Sequence, residues 1–110
     1  MFQLTHATIT INKTTVLSDV TAVFPSSGFA ALMGPNGVGK TTLLRTLAGV
    51  QPYAGAVNFR DKPLKEYMPC HLKQWCAYYA ATPHCVWNMR VEEIITLGQK
   101  VCPQSFSFPL

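Results

Sequence analysis

The residues Gly34–Thr42 read GPNGVGKTT, and they separate a short apolar run from a segment of helical periodicity. The apolar run, Phe29–Met33 (FAALM), has the length and character of a strand buried on both faces. The segment that follows, Thr41–Val50, places four apolar side chains on one helical face: Leu43, Leu44, Leu47 and Val50. The spacing G-x-x-x-x-G-K-[ST], directly after such a strand and directly before such a helix, predicts a phosphate-binding P-loop.

The chemistry expected of this loop follows from its glycines. Glycine adopts φ > 0 and lets the backbone approach a phosphate without a Cβ in the way. Successive N–H groups then form a concave anion site, to which the helix N-terminus adds partial positive charge. We expect Lys40 to reach the β- and γ-phosphates of a nucleotide and the Thr41 hydroxyl to bind Mg²⁺. The predicted binding residues are Gly34, Asn36, Gly37, Gly39, Lys40, Thr41 and Thr42, with Thr41 as the metal ligand and no catalytic residue assigned.

Outside the loop, apolar alternation predicts strands at 2–11, 16–24, 55–60 and 76–80, and helical spacing predicts a helix at 91–97. Asn12-Lys13 is typical of a turn, and residues 61–75 predict a loop with one helical turn. The predicted fold class is α/β: an N-terminal antiparallel β-sheet beside an incomplete P-loop NTPase core that holds the loop and its helix. An incomplete core exposes a sheet edge and apolar surface, which favours self-association.

Composition excludes several classes of protein. The 110 residues suffice for one domain, and 48% hydrophobic with 13% charged residues is too apolar for a disordered chain. The net charge of +4 is spread along the chain, so we predict no nucleic-acid partner. The N-terminus lacks the basic and apolar segments of a secretion signal, and the longest apolar run is far shorter than a membrane span.

Cysteines and histidines between positions 70 and 85 raise the question of a metal site. The residues are Cys70, His71, Cys76, His84 and Cys85. Their spacings match no zinc knuckle or ribbon, and no Cys-x-x-Cys pair occurs. Free thiols in a reducing compartment are the preferred interpretation.

The sequence also resembles a known family. GPNGVGKTTLLRTLAGV is similar to the first half of the ATP-binding subunit of ABC transporters, and VLSDVTAVFPSSGFAALMGPNG to its two antiparallel strands, turn and loop strand. GAVNFRDKPL resembles the next hairpin of the family, and MRVEEIITLG the helix after its glutamine loop. VWNMRVEEIITLG most resembles importers of iron complexes, haem or cobalamin. The resemblance runs from about Gln3 to Gly98 and implies that ATP and Mg²⁺ are held by Gly37, Gly39, Lys40, Thr41 and Thr42.

Two positions depart from the family pattern. The aromatic residue that stacks on adenine in the family falls on Ile11, which offers no π face. The loop glutamine falls on Ala81, and His84 is a distant substitute that we interpret as an ordinary loop histidine.

A larger departure concerns the catalytic motifs of the family. The sequence contains no Leu-Ser-Gly-Gly signature, no Walker B strand ending in Asp-Glu and no switch histidine. The available acids are Asp19, Asp61, Glu66, Glu92 and Glu93, and none follows the expected apolar strand. We therefore expect a chain truncated before these motifs, with a partial nucleotide-binding domain at 1–98 and an irregular tail at 99–110. ATP hydrolysis is doubtful in such a chain, and whether it is an enzyme stays open.

The resemblance implies a transmembrane permease subunit as partner, contacted through His84–Gly98, and it allows a homodimer. It also implies a cytoplasmic location, peripheral on the inner face of the cell membrane. The alternative function is a small non-catalytic, nucleotide-dependent interaction module that docks on a membrane partner. A GTPase is disfavoured because the only Asn-Lys, Asn12-Lys13, is not followed by x-Asp, and a kinase because no lid or acidic substrate groups are found.

Overall fold

A computed structural model describes residues 1–67, 69–82 and 87–99. Its strands are β1 (Phe2–Ile11), β2 (Thr14–Phe24), β3 (Ala54–Phe59) and β4 (Lys62–Pro63). Its α-helices are α1 (Lys40–Leu47), α2 (Pro69–Leu72) and α3 (Val91–Gln99), and a 3-10 helix spans Leu64–Glu66. The chain divides into two compact units, Met1–Tyr67 and Met68–Leu110, and each is described separately.

The first unit is built on one four-stranded antiparallel sheet in the order β2-β1-β3-β4. Two tight hairpins connect neighbouring strands. Asn12 and Lys13 join β1 to β2 with φ values of 49° and 65°, and Arg60 and Asp61 join β3 to β4 with φ values of 51° and 63°. Two successive residues with positive φ match the right-handed twist of paired strands, which is why such turns are common in hairpins. The turn predicted at Asn12-Lys13 is confirmed.

Strand β1 contains a bulge at His6 that sets which side chains are buried. Opposite β3, Thr5 pairs with Ala56 and Thr8 with Ala54, so His6 and Ala7 together face Gly55. Side chains alternate between sheet faces, so a regular strand could not bury both an even-numbered and an odd-numbered residue on one face. The extra residue shifts this alternation, and the buried residues of β1 are Leu4, Ala7 and Ile9.

The core of the first unit combines these strand residues with others from β3, α1 and the 3-10 helix. Val57 is 1% exposed and Thr46 is fully buried. Two contacts of Phe59 extend this core along β3: Phe2 stacks on Phe59 with ring centroids 4.6 Å apart, and the Tyr67 hydroxyl donates to the Phe59 carbonyl oxygen at 2.7 Å. The remaining buried apolar residues of this unit are Leu43, Leu47, Phe59 and Leu64.

Two predicted strands are not formed. Residues 29–33 and 76–80 lie in no strand, and in the former Phe29 is fully exposed and Met33 is 86% exposed. A strand buried on both faces requires neighbouring strands and covering layers, and the paired strands among the described residues all belong to the antiparallel sheet. The prediction of a buried strand at Phe29–Met33 is therefore wrong for this structure.

Helix α1 is shorter than the predicted segment 41–50. It ends at Leu47, after which the Val50 N–H donates to the Arg45 carbonyl and the Gly49 N–H to the Thr46 carbonyl, both at 3.0 Å. Gly49 has φ 77°, so these bonds form a Schellman motif closed by a left-handed glycine. Val50 lies beyond the end of the helix and is exposed, and Leu44, inside α1, is also exposed, so only Leu43 and Leu47 of the predicted apolar face are buried.

The second unit contains α2 and α3. The predicted helix at 91–97 is confirmed, and it starts with Glu92 and Glu93 in its first turn. Cys70 and Cys76 are free thiols, and burial raises the pKa of the Cys76 thiol. Within the described parts of the chain, no group of three metal-binding side chains occurs, and no helix has the length and apolar character needed to cross a bilayer. His84 and Cys85 lie outside the described residues.

Candidate phosphate-binding loop

The loop from Gly34 to Lys40 owes its path to two glycines in the left-handed region. Gly37 has φ 84° and Gly39 has φ 107°, values that side-chain-bearing residues rarely adopt. Nothing lies within 4 Å of the position that a Cβ on Gly37 would occupy, so this point of the loop is open to solvent. An open, left-handed glycine is what close approach of a phosphate to the backbone requires.

Lys40 is folded onto the carbonyl groups at the start of the loop. Its ammonium group donates hydrogen bonds to the Gly34 carbonyl oxygen and, at 3.0 Å, to the Pro35 carbonyl oxygen. The side chain thus links the start of α1 to the beginning of the loop. Its only hydrogen bonds in the described structure are to neutral carbonyl groups, so its charge is not neutralised by a carboxylate.

The N-terminus of α1 opens onto the same loop. Gly39 is the N-cap residue and supplies no side-chain cap, and the first hydrogen bond of the helix runs from the Leu43 N–H to the Gly39 carbonyl at 3.0 Å. The first N–H groups of a helix have no partner within the helix. The N–H groups of Lys40, Thr41 and Thr42 therefore point out of the helix start, where an anion can accept from them.

The two threonines of the motif differ in their surroundings. Thr41 is exposed, so its hydroxyl is accessible to a metal ion. Thr42 is half-buried, and its carbonyl accepts a hydrogen bond from the Thr46 hydroxyl at 2.9 Å. Thr46 is a supporting residue that pattern reasoning missed, because a threonine inside a helical segment carries no motif signal.

A second missed feature is the contact between β2 and the loop. A Cβ on Gly39 would lie 2.9 Å from Cδ2 of Leu17 and 3.2 Å from Cγ1 of Val16. The loop therefore rests on the antiparallel sheet at Gly39. The residue spacing of the motif gives no sign of this contact, since it depends on how the chain packs.

The structure brings the predicted binding residues together on one loop and helix start: Gly34, Asn36, Gly37, Gly39, Lys40, Thr41 and Thr42. Ile11, at the position of the family's aromatic residue, is half-buried at the end of β1 and pairs with Thr14. Ala81, at the position of the glutamine, is exposed in the second unit.

Three of the acidic residues, Asp19, Glu92 and Glu93, are paired with other groups or exposed on α3. Asp19 and His6 form an exposed hydrogen-bonded pair, with Oδ1 and Nδ1 2.5 Å apart. Glu93 Oε2 accepts from the Arg90 N–H at 2.8 Å and so caps the start of α3. The interpretation of Glu92 and Glu93 as a solvated helix start agrees with the exposure of both residues.

Comparison with protein families supports the interpretation of the loop. The family model described as ABC transporter matches residues 17–105, which is most of the chain. The chain belongs to the ABC transporter family. Both the resemblance seen in the sequence and the α/β P-loop fold class are thereby confirmed for this ABC transporter family member.

Three relatives of this family member have the names of hemin or vitamin B12 import ATP-binding proteins. A hemin import ATP-binding protein of Escherichia coli O157:H7 is 37% identical over 82 residues, covering 74% of this chain and 32% of the relative. A vitamin B12 import ATP-binding protein of Photorhabdus laumondii is 35% identical over 97 residues, covering 86% of this chain and 38% of the relative. A hemin import ATP-binding protein of Rhodopseudomonas palustris is 42% identical over 72 residues, covering 64% of this chain and 28% of the relative. The chain spans about a third of the length of the curated relatives it matches.

Proposed function

We propose that this chain binds the phosphates of ATP, together with Mg²⁺, at Gly34–Thr42 as part of the ATP-binding component of an ABC importer. The observation that carries the proposal is the geometry of the loop: two left-handed glycines, an uncapped helix start and the Lys40 ammonium lie together on one exposed segment. The names of the relatives, as hemin and vitamin B12 import proteins, support haem, an iron complex or cobalamin as the class of cargo.

The residues of the loop fit a nucleotide with its metal ion. The open space around Gly37 leaves room for phosphate oxygens beside the backbone, and the N–H groups that begin α1 supply donors for them. Mg²⁺ prefers oxygen ligands and is commonly bound through one or two protein groups plus phosphates. The exposed Thr41 hydroxyl would supply such a ligand. When bound, Mg²⁺ neutralises part of the charge of the phosphates.

The roles of the individual residues follow from their positions. Lys40 gives up hydrogen bonds to the neutral carbonyls of Gly34 and Pro35 in exchange for bonds to phosphate oxygens, which are stronger because the acceptor is charged as well as the donor. Gly37 and Gly39 keep the backbone within reach of the phosphates. Asn36 lies in the loop and Thr42 in the first turn of α1, and they complete the proposed set of binding residues.

A permease subunit is the proposed partner, and the surface proposed for it lies on the second unit between Trp87 and Leu97. Trp87 is 65% exposed, and a shallow groove runs between it, Met89 and the exposed face of α3 that carries Glu92 and Glu93. Large exposed apolar side chains rimmed by charged residues are typical of protein interaction sites. Binding a membrane subunit would place the chain in the cytoplasm at the inner face of the membrane, and a homodimer is also compatible with this proposal.

The proposal is tested by titrating the purified chain with Mg²⁺-ATP in a calorimeter. Charge-assisted hydrogen bonds contribute roughly 1.5–3 kcal/mol, so Lys40→Ala should weaken ATP binding by about 10- to 150-fold. The matched control is Lys73→Ala, which removes the same charge from an exposed position in the second unit and should leave the affinity unchanged.

A second arm tests the metal ligand. Thr41→Val keeps the shape of the side chain and removes the hydroxyl, so it should reduce the gain in ATP affinity that Mg²⁺ gives while leaving the affinity in EDTA unchanged. Equal ATP affinity of the wild type and Lys40→Ala would refute the proposed site.

A further inference from the structure

A bulge in β2 turns two neighbouring side chains toward the phosphate loop. Ile9 pairs with Leu17 and Thr10 with Thr15, so Val16 is an extra residue with no partner on β1. Neighbouring residues of a regular strand point to opposite faces, whereas a bulge re-aims a side chain. Here both Val16 and Leu17 lie against Gly39, at 3.2 Å and 2.9 Å from the position of a Cβ on that glycine.

Gly39 is the point at which this contact can act on the loop. It is the N-cap of α1, its carbonyl accepts the first hydrogen bond of the helix, and its φ of 107° sets the direction from which the loop enters the helix. Rotation at this residue would turn its own N–H group away from those of Lys40 and Thr41, which follow it. A glycine has more freedom to rotate than any other residue, so its conformation must be held by its surroundings.

We propose that Val16 and Leu17, the β2 bulge pair, are positioning residues for the phosphate loop: they hold Gly39 in its left-handed conformation and so preorganise the anion site. Neither residue contacts the nucleotide in this proposal. The inference rests on the proposed ATP-binding function and adds to it a steric link from the antiparallel sheet to the helix start. Preorganisation raises affinity because the ordering of the loop is completed before the ligand binds.

The contact of Leu17 with Gly39 also limits which side chains position 39 can accommodate. An alanine there would be strained by the positive φ and would in addition collide with the Leu17 side chain. The strain belongs to Gly39 alone, whereas shortening Leu17 removes the collision with that side chain and leaves only the 3.2 Å approach of Val16. These two effects can therefore be separated by combining substitutions at the two positions.

The test is a double-substitution cycle on the full chain, read by Mg²⁺-ATP affinity and by melting temperature without nucleotide. Leu17→Ala should weaken ATP binding, and Leu17→Met, which refills most of the volume, should restore it. The control Val20→Ala alters a half-buried residue of the same strand that pairs with Ala7, and it should leave the ATP affinity of the folded protein unchanged. Gly39→Ala should weaken binding less in the Leu17→Ala background than in the wild type, by about 3- to 10-fold, within the range of couplings between residues in contact.

Two results would overturn the proposal: equal damage by Gly39→Ala in both backgrounds, or equal loss of ATP affinity in Leu17→Ala and Val20→Ala. The melting temperatures distinguish this failure from failure of the proposed function. If the wild type bound no ATP, the ATP-binding function would be refuted and the positioning role with it. A smaller loss of melting temperature from Gly39→Ala in the Leu17→Ala background would then still establish the contact itself.

Discussion

Gly55 of β3 lies directly against the backbone of His6 in β1, so closely that a Cβ on Gly55 would be 2.2 Å from the His6 carbonyl oxygen. The two residues meet at the bulge where His6 and Ala7 together face one residue of β3. Both have positive φ, 49° for His6 and 90° for Gly55. At the irregular positions of the strands, threonine hydroxyls accept hydrogen bonds from backbone N–H groups. The His6 N–H donates to Thr21 Oγ1 at 3.2 Å, and the Asp19 N–H donates to Thr8 Oγ1 at 3.3 Å.

Gly55→Ala should therefore destabilise the first unit strongly. Strain at a positive φ and a collision with rigid backbone add, and together they should lower the free energy of unfolding by about 2–4 kcal/mol. The control is Gly28→Ala, since Gly28 has nearly the same φ, 95°, with nothing within 4 Å of a Cβ. That variant should lose only about 1 kcal/mol from strain. Urea denaturation of both variants measures the difference, and equal losses would show that the contact with His6 is unimportant.

Base selectivity should be poor. Ile11 is aliphatic and half-buried, so it cannot stack on a purine, and ATP and GTP should bind with similar affinity in competitive titrations. Ile11→Tyr should tighten ATP binding by about 2- to 10-fold, in line with the roughly 0.5–1.5 kcal/mol of an aromatic contact. Thr10→Tyr, at the neighbouring exposed position, is the matched control and should have no effect. A wild type that strongly prefers ATP would mean that another residue recognises the base.

Trp87 should be accessible to a partner. The side chain is 65% exposed and is not packed into a core. In Trp75→Phe, which removes the second tryptophan, acrylamide should quench the fluorescence of Trp87 readily. A photocrosslinker at position 87 should capture a permease subunit in membranes that contain one, whereas the same group at the exposed Tyr79 should not. Blue-shifted, unquenched emission without crosslinking would contradict the proposed surface.

The 110-residue polypeptide should not hydrolyse ATP at a useful rate, either alone or as a homodimer. Phosphoryl transfer requires a group that orients water and ligands that hold Mg²⁺ as charge develops. Asp19 is paired with His6, Glu93 caps α3, and Ala81 stands in place of the glutamine. A second copy would bring the same set of residues and no signature motif.

Binding ATP without stabilising the transition state lowers no barrier. Phosphate release should thus equal that of Lys40→Ala over hours. Turnover that depends on Lys40, at a rate on the order of 1 s⁻¹, would show that one of the acids enters the site, with Glu92 and Glu93 the first to examine.

The predicted elements and the observed ones agree best where the signal is local. The turn at Asn12-Lys13, the strand at 55–60, the loop and the helix at 91–97 were all predictable from short-range patterns. Phe29–Met33 shows the opposite case. Its apolar run indicates that the side chains favour burial, but a strand also needs a neighbouring strand for its backbone hydrogen bonds. In the described sheet, β1 to β4 pair with one another and not with this segment.

The phosphate loop was determined by the spacing of Gly34, Gly39, Lys40 and Thr41, because glycine conformations and the start of a helix are local properties of the chain. The face that β1 buries was decided by tertiary structure. Leu4 and Ile9 share a face only because of the bulge at His6. That bulge depends on how β1 pairs with both β2 and β3. The same holds for the contact of Val16 and Leu17 with Gly39. Strand register and the approach of a loop to a sheet join residues far apart in the chain, so no local pattern encodes them.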